Sequence, residues 1–270
     1  AEEEKDRRQE GRLSSGGSRR LITEVVAMRL LYLFALLLTL GLPAQAAPLD
    51  PTLKRALELA GVQLLCEQTP ALLQRGMSAA QQKQLAKTFA AEPLCADLAK
   101  RVAAELPKEQ LSEAVALLDS PLAKHFTEAE RAVGADGGLA AYRKQLAERP
   151  PRGERLQLVQ RLDKAAHTSE LATLLRYEVG KTQALLALRA RGESLDEKAL
   201  SEQTAVQIAP IRASSASGVE AFMLYAYRQS PSAQLAEYAA LYEQPAVRAV
   251  LEASTRQLPQ VFAARRALLK

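Results

Sequence analysis

Four prolines, set in two matched pairs, constrain this chain more than any other feature. Pro107-KEQLSEAVALLDS-Pro121 aligns without gaps to Pro231-SAQLAEYAALYEQ-Pro245 at a constant offset of 124 residues, with seven of fifteen positions identical. The register continues into Glu128/Glu252 and Ala129/Ala253. Alanine-rich helices resemble one another by chance, but alanine richness does not place prolines. Proline has a fixed φ and no N–H, so it is tolerated in the first helical turn and resisted inside a helix. Each copy therefore reads as a helix of about three turns, an acidic residue, and a second helix leaving at an angle. The inward stripe is Leu111, Ala114, Val115 and Leu118 in one copy and Leu235, Tyr238, Ala239 and Tyr242 in the other. Both have the i, i+3, i+4, i+7 spacing of a helix face.

The rest of the chain is equally helical in pattern. Residues 51–66, 78–91, 94–106, 139–148, 154–165 and 168–190 read as helices, and none of the chain alternates as a strand would. Ser194-Leu-Asp-Glu197 is a capping-box pattern that predicts a helix ending before Pro210. Residues 213–218, ASSASG, read as a loop, and helices follow at 219–229, 232–243, 246–257 and 259–269. Gly180 falls inside a long helix, where close helix packing would justify it. Arg149-Pro-Pro-Arg-Gly153 cannot continue a helix and marks a joint. The expected fold is all-α, a multi-helix bundle built from two related modules, 47–150 and 151–270.

Upstream, Met28 opens MRLLYLFALLLTLGLPAQA. A basic residue, an apolar run over Leu30–Leu42, a breaking Pro43 and the small-x-small Ala44-Gln45-Ala46 are the parts of a secretory signal peptide. The apolar run has 13 residues, short of the roughly 20 that span a bilayer. Residues 28–46 are thus expected to be removed on export, leaving no transmembrane segment. Residues 1–27, charged and Gly/Ser-rich, read as disordered and as lying upstream of the true start.

The net charge is only +5, from 36 Lys/Arg against 31 Asp/Glu, with the signs interleaved. A nucleic-acid binder would gather its basic residues on one face beside stacking aromatics, so nucleic acid is not an expected partner. Export would place Cys66 and Cys95, the chain's two cysteines, in an oxidising compartment. A disulfide between them is one reading and two buried thiols the other. Two cysteines without matching histidines are too few for zinc, and no cofactor motif is present.

Catalytic signals are equally sparse. His125 and His167 are not related by the repeat, and there is no nucleophile elbow, metalloprotease helix or phosphate loop. Asp119 and Glu243 match between the copies, but a carboxylate beside the next helix N-terminus needs only the helix dipole to explain it. Aromatics concentrate near the C-terminus, at Phe222, Tyr225, Tyr227, Tyr238, Tyr242 and Phe262. Two readings follow: a Tyr-lined groove for an apolar ligand, or a core filled with tyrosine. Tyr225 and Tyr227 cannot share one helix face, so one of them should leave or edge the core. The basic, amphipathic 261–270 segment suggests either membrane-surface contact or a packed helix with its arginines in solvent.

The second copy, QLAEYAALYEQPAVRAVLE, resembles the signature of the domain-of-unknown-function 2059 family, approximately E-L-x3-x-A-F-Y-x-S-P-x-G-x-x-L. The first copy keeps Ser120-Pro121 but has Leu117-Leu118 where the family has aromatics. The second keeps Leu241-Tyr242 and Pro245 but has Gln244 for Ser. Ala123 and Val247 stand at the family's Gly. GERLQLVQRLDKAAHTSELATLLR is similar to the family's leading helix. The likeness covers most of 152–262 and, more faintly, 52–132. It implies an α-helical periplasmic protein and no established activity. The expected function is a non-enzymatic interaction module of the cell envelope, with an envelope protein or apolar ligand as partner. A small-molecule or lipid carrier is the alternative and a hydrolase the second.

Overall fold

The structure, a computed structural model, describes residues 50–133, 137–151 and 153–269. The signal-peptide pattern and residues 1–27 lie outside them. The described residues are all helix and connection, with thirteen α-helices and one short 3₁₀ turn among them. In chain order they are α1 (Pro51–Leu59), α2 (Val62–Gln74), α3 (Ala79–Thr88), α4 (Ala91–Ala103), α5 (Lys108–Leu118), α6 (Pro121–Ala132) and α7 (Gly138–Glu148). After the Pro150-Pro151 joint come α8 (Gly153–Ala166), α9 (Thr168–Ala190), α10 (Glu197–Thr204), the 3₁₀ turn (Ala205–Gln207), α11 (Ile208–Ala226), α12 (Ser232–Tyr242) and α13 (Pro245–Ala267).

The matched prolines act as their spacing predicts. α5 and α12 have bounds displaced by the repeat offset, with Pro107 and Pro231 as N-caps and Asp119 and Glu243 as C-caps. Pro121 and Pro245 each open the next helix. Other prolines behave differently from the sequence expectation. Pro93, between the helices expected at 78–91 and 94–106, instead sits in the first turn of α4, where an N–H has no intrahelical acceptor. Pro210 is tolerated for the same reason in α11, which runs on through the expected 213–218 loop. Pro259 lies inside α13, so one 23-residue helix replaces two. Conversely, the expected 51–66 helix is broken at Gly61, whose φ of +74° is left-handed and favours glycine. The cap before α10 is Asp196, whose side chain accepts from Ala199 N at 2.7 Å, two residues beyond the expected Ser194.

One apolar core spans both halves of the described chain. α1 packs on α5, and α8 packs on α12. α13 runs through the interior against α4, α5 and α9, while α2 crosses α9 and α6 packs on α11 and α12. α7 buries no residue fully and rests on α11 through the half-buried Leu139, Tyr142 and Leu146. Gly180 does not mark a close helix crossing. A Cβ there would meet only Gln207 Oε1, at 3.8 Å.

Candidate functional site: buried tyrosines, carboxylates and thiols

Phe126 and Glu130 lie four residues apart on α6 and so share a face. That face meets the C-terminal end of α11 and one side of α12. Tyr227 caps α11, and Tyr238 and Tyr242 are themselves four apart on α12. The Phe126 ring stacks on Tyr238, with centroids 4.2 Å apart and planes at 7°, and meets Tyr227 edge-on at 5.1 Å. The hydroxyls then converge. Tyr227 Oη donates to Glu130 Oε1 at 2.5 Å, Tyr238 Oη reaches the same oxygen at 3.4 Å, and the Tyr238 and Tyr242 hydroxyls are 3.3 Å apart.

A buried phenol needs a hydrogen-bond partner, and Glu130 supplies one for two of them. The carboxyl group bears the cost. Its burial pushes Glu130 above the usual carboxylate range, and the two tyrosine donors and Arg131 only partly oppose this. Burial, with Glu130 nearby, likewise raises Tyr227, Tyr238 and Tyr242. The cluster is a hydrogen-bonded centre that joins three helices.

The six C-terminal aromatics therefore go to the core or pack against it, the second of the two sequence readings. Tyr227 and Tyr238 are each 1% exposed. Tyr225 is buried on another side, against Tyr142 of α7 at 5.2 Å, with the Arg228 guanidinium 3.8 Å over its ring. Phe222 is half-buried against the core. Tyr225 and Tyr227 are both inside, contrary to the face argument, because α11 is covered by α7 as well as α6 and ends at Tyr227.

A second polar centre lies where α9, α10 and α13 meet. Arg266, 2% exposed, donates through Nε and Nη2 to both Glu197 oxygens at 3.0 and 2.6 Å. Its Nη2 is also 2.6 Å from Glu178 Oε2, and Nη1 reaches Thr182 Oγ1 at 3.2 Å. Lys181 Nζ completes the group, 2.6 Å from both Glu197 Oε1 and Ser201 Oγ. Burial works against the Arg266 charge, but Glu197 and Glu178 hold it above its ordinary value. Burial raises Glu178 in turn, whereas Arg266 and Lys181 outweigh it at Glu197 and keep that carboxyl low. Arg265 also turns inward, to the Thr88 and Pro93 carbonyls and Asp97. The expectation that these arginines face solvent is thus corrected. Each is drawn in by acceptors contributed from distant helices.

Cys66 on α2 and Cys95 on α4 lie thiol to thiol, unbonded, with Cys66 buried and Cys95 partly exposed. A hydrogen bond that Cys66 donates to Cys95, with burial, pushes the Cys66 thiol up, and the same bond lowers Cys95.

The remaining candidates are engaged structurally. His167, at φ +52°, forms the joint between α8 and α9, and its Nδ1 is 2.6 Å from Glu170 Oε2. His125 is exposed, with its ring edge-on to Phe126. Asp119 binds Arg55 at 2.7 Å and Lys124 at 3.3 Å, and Glu243 takes Arg161 through both oxygens at 2.7 and 2.6 Å. Specific cationic partners thus act on both carboxylates beside the helix dipole. A shallow depression of about 270 Å³ lies between α2 and α9, lined by Leu72, Arg75, Arg176, Val179, Gly180 and Gln183. Among the described residues no group of His, Cys, Asp and Glu is placed to hold a metal ion, and no helix is long and apolar enough to cross a membrane.

Glu130 and the Arg266 centre were missed in the sequence. Glu130 follows Phe126 by one turn, and Glu178, Lys181 and Thr182 lie among the inward leucines of α9, so helical phase alone flags them. Their partners are too distant in sequence to infer. The fold and its site together define a class, an all-α bundle whose interior polar groups tie helices to one another. No family model matches the chain, and no curated protein or solved structure is detectably similar to it.

Proposed function

We propose that this chain is an exported, non-enzymatic interaction module of the bacterial cell envelope, built from two related helical halves. The observation that carries the reading is that its potentially reactive groups are spent on structure. His167 pairs with Glu170, Asp119 with Arg55, Glu243 with Arg161, and Glu130 with two tyrosines.

The duplication is supported by parallels beyond the prolines. In each half an arginine on a leading helix, Arg55 of α1 or Arg161 of α8, binds the acidic C-cap of the repeat helix. Each leading helix then passes through a left-handed residue, Gly61 or His167, into the next. The resemblance to the domain-of-unknown-function 2059 family belongs to the same reading. Export rests on the 28–46 pattern, and a Cys66–Cys95 disulfide accords with it, since the thiols are already adjacent. Closing that loop of about 30 residues contributes on the order of 3 kcal/mol. The carrier alternative loses its basis, because Tyr227 and Tyr238 face Glu130 in the core.

The test has two parts. Osmotic-shock fractions should contain a chain that begins near residue 47 and has lost two thiols by alkylation mass spectrometry. Retention in the cytoplasm with both thiols free defeats the export reading. Site-specific photo-crosslinkers on the exposed faces should then recover one recurrent envelope partner. Crosslinks no different from those of an unrelated exported bundle would defeat the interaction reading.

A further inference from the structure

The Glu130 cluster sits at an edge of the bundle that is held unequally on its two sides. Glu130 occupies the last turn of α6, where the helix dipole disfavours a negative charge. Downstream, α7 has no fully buried residue and rests on α11. Segments with few buried contacts open first. The carboxyl group is thus the main polar tie between the end of α6 and the α11–α12 face.

The groups that act on Glu130 come from each side. Tyr227 reaches it from the end of α11, and Tyr238 from α12. Tyr242 lies behind Tyr238 and feels the Glu130 charge. Arg131, on α6 itself, is the cation that acts on it, and among the described residues none on α5 does. Arg155 of α8 is bound to the far side of Tyr227, at its backbone carbonyl. Among the described residues no basic side chain therefore enters the cluster to pair with the carboxylate, in contrast to Glu197.

We propose that Glu130, Tyr227 and Tyr238 form a pH-responsive latch: the protonated carboxyl group holds the end of α6 on α11 and α12, and its ionisation frees the α6–α7 segment. A protonated carboxyl keeps an acceptor for both tyrosines at no cost in buried charge. The ionised form must draw water to the cluster, and the least anchored neighbouring segment yields. Because burial raises the folded-state value of Glu130, the stabilisation it provides is complete below the ordinary glutamate range. It is lost as pH rises through the raised value.

The latch can be tested on the full chain by hydrogen exchange of α6 and α7 amides between pH 4 and 8, corrected for intrinsic rates, with Tm measured in parallel. The wild type should exchange α6 and α7 severalfold faster at the upper end, and Tm should fall in the same interval. Glu130→Gln keeps an acceptor for Tyr227 and cannot ionise, so both responses should flatten. Equal pH responses in the two proteins overturn the proposal. Should the variant fail to fold, isotope-edited infrared titration of the wild-type carboxyl groups decides. A glutamate titrating above about 4.3, in step with α6–α7 opening, supports the latch, and its absence defeats it.

Discussion

Glu130 is half-buried and Glu197 is exposed, and they meet opposite company. Glu197 stands between a guanidinium and an ammonium, Arg266 and Lys181, and remains readily ionised. Glu130 is met by two phenols and is pushed toward its neutral form. Desolvation disfavours the charge at both, and less at Glu197, whose side chain is 42% exposed. At Glu197, opposite charge at hydrogen-bonding distance offsets the cost. At Glu130, neutral donors do so only in part. Depth counts as well, because Arg266 lies 2.6 Å from Glu178 and burial still raises that carboxyl. Partner and depth together decide whether a carboxylate becomes a fixed tie or a titrating one.

The largest expected effect probes the charged centre. Arg266→Ala leaves the buried Glu178 without the guanidinium that faces it, and urea unfolding should show a loss of about 3–5 kcal/mol. Arg266→Lys should recover little of it, since one ammonium cannot reproduce the guanidinium fork on Glu197. Full recovery by lysine would erase the distinction drawn between the two centres.

The next probes the neutral donors. Tyr227→Phe removes a hydrogen bond whose worth depends on the state of Glu130. Its cost should be about 1.5–3 kcal/mol where Glu130 is ionised and about 0.5–1.5 kcal/mol where it is protonated. Unfolding at both ends of the pH range measures this, and a cost independent of pH would place Glu130 in one state throughout.

The pH responses sharpen the contrast further. Glu197 is held low, so its stabilisation is present above the ordinary glutamate range and lost as pH falls through its depressed value. Glu178, raised by burial, contributes in the opposite sense, its stabilisation being lost as pH rises. The two act in different intervals, Glu197 below the ordinary glutamate range and Glu178 above it. Glu130→Gln and Glu178→Gln should each flatten the fall in stability with rising pH in urea unfolding, and an unchanged slope in either variant would count against a raised carboxyl at that position.

Smaller effects bound the comparison. Gly180→Ala places a methyl beside Gln207 with ordinary contact, and should stabilise α9 by about 0.5–1 kcal/mol in thermal unfolding. A loss instead would mean that α9 is tightly packed next to the Arg266 centre. Arg161→Ala breaks a well-formed but exposed pair with Glu243, and should cost only about 0.2–1 kcal/mol. A larger loss would bring the repeat clamps level with the buried centre.

Much of this was open to reading in the chain itself. Helical phase placed Leu111, Ala114 and Leu118, and again Leu235, Tyr238 and Ala239, in the core, where they lie. The matched prolines set the bounds of α5 and α12. Such features are local, because backbone preference and a 3.6-residue period act within a few turns. Pro93, Pro210 and Pro259 show the limit even there. Two fall in a first turn that needs no N–H, and one is carried inside a helix by packing around it. Nothing in the order of residues joins Glu130 to Tyr227, or Arg266 to Glu178 and Glu197. Those pairings lie 97, 88 and 69 positions apart. They exist because α6 reaches the end of α11 and α13 lies beside α9 and α10. The sequence by itself determined that the chain is helical and where its repeated bends fall. Only the tertiary structure decided which carboxylates meet a cation and which meet a phenol, since desolvation and charge pairing depend on distances in space.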